Sequence, residues 1–178
     1  LPGSKPGRDS ILLNSGHVYC LQTGEYTVRP PGYSAFPHYS PDGKYIFELT
    51  GGDIHHPNGR FFLNGVEFYL SHPVGDIGQA SWSPDGSKIA LAVWPGDVPT
   101  VEIWIFHIDE YLAGESDTMP MHAINLEDQF CFYGGAIYPE YATDSTLIVA
   151  MHRDGDEFSG LWEISDKAGD TYKRSLTS

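Results

Sequence analysis

One phrase occurs three times in this chain. Ser81 to Val93 reads SWSPDGSKIALAV, Tyr39 to Leu49 reads YSPDGKYIFEL, and a worn copy at Tyr141 to Met151 reads YATDSTLIVAM. A phrase repeated in one chain marks a repeated structural unit, and that constrains the fold more than any other feature here.

The chemistry of the phrase is that of a tight hairpin. Pro41-Asp42-Gly43 and Pro84-Asp85-Gly86 are turn residues with distinct tasks. Proline presets φ at the second position of a type I turn, the Asp side chain accepts a backbone N–H, and Gly takes a positive φ. The flanking residues favour strands: Ile89, Leu91 and Val93 alternate with Lys88, Ala90 and Ala92. The two clear copies share Ser-Pro-Asp-Gly, a lysine and an isoleucine, too much for a chance pair of hairpins.

Spacing turns the phrase into a ruler. Tyr39 to Trp82 is a step of 43 residues, and Trp82 to Tyr141 is a step of 59. The first suits a four-stranded propeller blade of about 40–45 residues, and the second a blade with an insertion of about 15. The insertion is Asp109 to Pro120, DEYLAGESDTMP, with one helical turn expected over Asp109 to Ala113.

Read in order, residues 1–9 form a flexible N-terminal segment, and 10–178 a β-propeller domain. Three strands within 10–33 make a partial blade, and full blades follow at about 34–77, 78–134 and 135–178. Asn64-Gly65 between apolar runs marks a further hairpin. Thr100 to Ile108, TVEIWIFHI, is apolar on most of both faces, as expected of a strand packed between stacked sheets. The expected fold class is all-β, with four-stranded antiparallel blades. It is either a four-bladed ring or part of a larger propeller, because the first blade lacks its inner strand.

The phrases SWSPDGSKIALAV and YSPDGKYIFEL resemble the repeat of TolB-type β-propellers, whose blades open W-S-P-D-G-x-x-I-A-F. The propeller domains of prolyl-oligopeptidase-type peptidases carry a similar repeat. The likeness covers about residues 34–178. It implies a periplasmic or otherwise extracytoplasmic propeller that binds other proteins. It also implies structural roles for Tyr39, Pro41, Asp42, Gly43, Trp82, Pro84, Asp85, Gly86, Tyr141 and Asp144, the aromatics packing between blades and the Asp-Gly pairs shaping turns. It supplies no catalytic residues. The 59-residue unit, the third turn without proline and the partial first blade depart from the pattern.

Charge narrows the partners. The net charge of −14 repels phosphate backbones, and no Lys/Arg cluster opposes it, so nucleic acid is not an expected partner. No apolar run approaches the roughly 20 residues of a transmembrane helix. Cys20 and Cys131 are either two thiols or one disulfide.

Candidate chemistry is sparse. His55 and His56 share a loop with Asp53, and His72 follows, but adjacent histidines do not readily converge on one ion. Asp154 and Asp156, in Asp-Gly-Asp-Glu, offer oxygens to calcium without the ligand number it needs, so a solvated turn is the expectation and no cofactor is expected. There is no G-x-S-x-G elbow, and neither cysteine sits in a catalytic signature. The binding-surface candidates are loop-borne: Trp94, Tyr111, His55 and His56. Together these point to a non-enzymatic propeller that binds proteins or serves a structural role in an extracytoplasmic assembly. The alternative is the propeller domain of a peptidase-like or glycan-processing enzyme whose catalytic part lies elsewhere, with a small molecule or glycan as ligand.

Overall fold

The computed structural model describes residues 10–12, 18–20, 26–27, 38–50, 60–68, 76–94, 101–114, 118–126, 137–152 and 158–177. Their strands form four antiparallel sheets, in each of which strands follow one another in chain order. The first sheet has β1 (Ser10–Leu12), β2 (Val18–Cys20) and β3 (Tyr26–Thr27). The second has β4 (His38–Tyr39), β5 (Ile46–Thr50), β6 (Arg60–Leu63) and β7 (Val66–Phe68). The third has β8 (Asp76–Trp82), β9 (Lys88–Trp94), β10 (Glu102–His107) and β11 (Met121–Asn125), with helix α1 (Ile108–Leu112) between the last two. The fourth has β12 (Ile137–Thr143), β13 (Thr146–His152), β14 (Phe158–Ser165) and β15 (Lys173–Ser175).

The repeated phrase forms the hairpin between the first two strands of a sheet. In both clear copies Gly donates to the carbonyl three residues back, Gly43 to Ser40 at 2.8 Å and Gly86 to Ser83 at 2.9 Å. Both glycines have positive φ, 68° and 76°, which a Cβ would penalise. The serine and aspartate then lock each turn. Ser40 Oγ donates to Asp42 Oδ1 at 2.8 Å, and Ser83 Oγ to Asp85 Oδ1 at 2.7 Å. The same aspartate oxygens accept the backbone N–H two residues on, from Lys44 and Ser87. Burial works against the charged Asp85, yet the bonds from Ser83 and Ser87 prevail and hold its carboxyl below the ordinary range.

The third copy is a tighter hairpin. Thr143 pairs directly with Thr146, so the loop is only Asp144-Ser145, and the register shifts between Tyr141 and Thr143. A threonine–threonine hydroxyl bond of 2.7 Å closes it. Without proline and glycine at the usual places, Asp144 is freed from locking its own turn.

The core lies between sheets. Strand β9 divides it: Ile89, Leu91 and Val93 join one cluster with Phe47, Phe61, Leu63 and Phe68 of the second sheet. Ala90 and Ala92 join another with Tyr141, Leu147, Val149 and Ile164 of the fourth. Strand β10 divides likewise, Trp104 and Phe106 to the first cluster, Ile103 and Ile105 to the second. The both-faces-apolar expectation for this strand is met because the third sheet is sandwiched. At about 1.5–3 kcal/mol for each fully buried large apolar side chain, these two seams dominate the folding energy. The aromatic cluster Phe47, Phe61, Phe68 and Phe106 has ring centroids 5.7–6.2 Å apart. Helix α1 starts one residue before the expected turn, because Ile108 is fully buried and draws the chain inward.

Candidate functional site

The third and fourth sheets meet along a polar seam on the side of the hairpin turns. Lys88 opens β9 and reaches across to Asp166, which follows β14. Its ammonium also donates to the Asp144 carbonyl at 2.5 Å and lies 5.8 Å from the centre of the Tyr141 ring. Asp166 is almost fully buried, so the lysine supplies the partner a buried carboxylate requires. The Tyr141 hydroxyl donates to the same Asp166 oxygen at 3.2 Å. Burial, followed by the charge of Asp166, pushes the Tyr141 phenol well above its usual range.

Two histidines extend the seam. His122, on β11, bonds the backbone carbonyl of Asp166 through Nε2 at 2.5 Å. Its Nδ1 lies 2.9 Å from Nε2 of His107, at the end of β10. His107 Nδ1 in turn lies 3.4 Å from Glu110 of α1. Burial lowers the His107 pKa, opposed by the Glu110 carboxylate. Two further bonds cross between the sheets: Tyr141 N–H donates to Ser81 Oγ at 3.1 Å, and Asp85 N–H to Asp144 Oδ1 at 2.9 Å. Chemically the seam is a set of fixed donors and acceptors that align one blade on the next.

The repeat aromatics sit where blades touch. Trp82 joins the first cluster and its indole N–H donates to the His38 carbonyl of the second sheet at 3.0 Å. Tyr141 joins the second. Of the binding-surface candidates, Trp94 ends β9 and packs half-buried against the second cluster. Tyr111 is half-buried in α1, its ring 5.9 Å from that of Phe68. On the same helix Leu112 is exposed, as are Asp109 and Glu110. His55, His56, His72, Asp154, Asp156 and Cys131 lie outside the described residues, and Cys20 lies in β2. Among the described residues no three His, Cys, Asp or Glu side chains gather as a metal site, and no helix is long and apolar enough to cross a membrane.

Sequence reasoning missed Asp166, His107 and His122, and gave Lys88 only a place in an alternating strand. Lys88 and Asp166 are 78 residues apart, and nothing local to either announces the other. The one available signal was that His107 and His122 flank the same insertion.

By sequence, the chain matches no known protein family and no curated protein. Among solved structures it is similar to TolB from Acinetobacter baumannii, with 16% identity over 91% of this chain and a TM-score of 0.54. The chain spans 37% of the length of that TolB chain. With the four antiparallel sheets, this likeness makes the fold a TolB-like β-propeller arrangement.

Proposed function

We propose that this chain is a non-enzymatic β-propeller that serves as a protein-binding or structural subunit of an extracytoplasmic assembly. The observation that carries this reading is where the repeat's reactive groups are spent. From the repeat, Trp82, Asp85, Lys88 and Tyr141 all bond across from one sheet to the next, Lys88 and Tyr141 onto Asp166 beyond it, and so build the scaffold. Recognition then falls to what the scaffold holds out. Loops on a rigid frame are the usual place for it.

The insertion is the best such element. Ile108 and Tyr111 anchor it in the core, and that anchoring presents Leu112 between acidic neighbours and solvent. Trp94, His55 and His56 are further contact residues on this reading. An anchored helical turn is ordered before it binds, which lowers the entropic cost of association.

Photo-crosslinking tests this. A crosslinking residue at position 112 of the purified chain, mixed with a cell-envelope extract, is expected to yield a discrete protein adduct that excess unlabelled chain removes. A crosslinker at exposed Lys167 serves as the control. Adducts of equal yield at both positions, or turnover of peptide or glycan substrates by the purified chain, would overturn the proposal.

A further inference from the structure

We propose that His107 and His122 form an acid-sensitive joint between the third and fourth blades, in which the hydrogen bonds survive one proton but not a second. The geometry assigns every hydrogen. The Asp166 carbonyl can only accept, so His122 Nε2 carries a hydrogen and donates to it. In neutral His122, Nδ1 is then bare, and His107 Nε2, 2.9 Å away, is the donor. That leaves His107 Nδ1 bare, 3.4 Å from the Glu110 carboxylate. The result is a directed chain from His107 through His122 to the backbone of the fourth blade, with the Glu110 carboxylate facing a bare nitrogen at its start.

The first proton enters at His107 Nδ1. It converts an apposed lone pair into a donor toward Glu110 and leaves the other two bonds intact. The second has only His122 Nδ1 to occupy, where two N–H groups would face each other across 2.9 Å. That bond is lost, and two imidazolium rings stand beside the Lys88 ammonium.

The surrounding charges do not offset this. Facing the pair are Glu110 from α1, Lys88 from β9 and Asp166 from the segment after β14, the last bonded in turn by Tyr141 of β12. Asp166 is already bonded by Lys88 and the Tyr141 hydroxyl, and Glu110 is largely exposed, with its charge screened by water. Three cations around one buried carboxylate leave a net positive charge in a half-buried seam. Burial lowers the His107 pKa, so even the first proton, which leaves the other bonds in place, is opposed by the native seam. A group depressed in the native state contributes stability that is present above the unfolded value of about 6.5 and lost as pH falls below it.

Thermal unfolding of the whole chain at pH 7.5 and pH 5.0 tests the joint, with H107Q and H122Q alongside. Glutamine retains a donor and an acceptor and does not titrate. Carboxylate titration is common to all three proteins and cancels. The expected result is that the acid loss in Tm is smaller in either variant than in the parent, by about 3 °C or more. Equal losses in all three would overturn the proposal. A second measurement needs no variant: ring nitrogen shifts of the parent should show Nε2–H on both rings at pH 7.5. If both rings charge while the amides of Asp85 and Tyr141 keep their exchange protection, the joint is not acid-sensitive.

Discussion

The amide of Asp85, at the head of one hairpin turn, donates to the carboxylate of Asp144 at the head of the next, 59 residues on. The bond exists because the third turn is one residue shorter. Asp42 and Asp85 spend their carboxylates on their own turns, whereas Asp144 offers its to the neighbouring blade. The most eroded copy of the repeat has thus become a contact between blades.

Removing that contact should cost little but measurably. Asp144→Ala is expected to lower stability by about 1 kcal/mol, the net worth of one partly exposed hydrogen bond. Asp144→Asn keeps an acceptor and should retain most of it. Urea unfolding followed by tryptophan fluorescence reads both, and an alanine variant as stable as the parent would show the bond to be idle.

A larger penalty is expected at Lys88. Lys88→Met leaves Asp166 buried without its cation, for which about 3–5 kcal/mol is typical. Replacing both, as in Lys88→Met with Asp166→Leu, should recover part of that loss because no unpaired charge remains. If the double variant is as unstable as the sum of its single changes, the pair is not coupled.

Trp82 has two roles that substitution separates. Trp82→Phe keeps an aromatic between blades but abandons the His38 carbonyl, and should cost about 1–2 kcal/mol. Trp82→Ala also empties a place in the core and should cost about 3–5 kcal/mol. Similar values for the two variants would mean that the indole bond, not packing, is what the aromatic supplies.

The phenol of Tyr141 sets an alkaline limit. Burial and then Asp166 raise its pKa, so its neutral form is favoured in the native state. Such a group contributes stability that is complete below the unfolded value of about 10 and is lost as pH rises beyond it. Tyr141→Phe should therefore flatten the fall of Tm between pH 9.5 and 11, at the cost of a slightly lower Tm near neutrality. An unchanged alkaline slope would contradict the assignment.

Much of the fold was legible from residue order alone. Pro-Asp-Gly turns, alternating strands and the 43-residue step depend on interactions a few residues long, and those are written locally. The placing of Trp82 and Tyr141 between blades came from the resemblance of the repeat to that of TolB-type propellers. The seam was not legible. Lys88 with Asp166, and His122 with the Asp166 carbonyl, join residues 78 and 44 apart. The orientation of Tyr111 toward Phe68 likewise follows from how α1 lies over the second sheet.

The repeated phrase by itself determined the unit: an aromatic-led hairpin with a proline, aspartate and glycine turn, set at blade spacing. Only the tertiary structure decided how one unit holds the next. Turn chemistry is a property of a few consecutive residues, but a buried carboxylate takes whichever cation the stacked sheets bring within reach. That choice lies in the stacking and has no local trace.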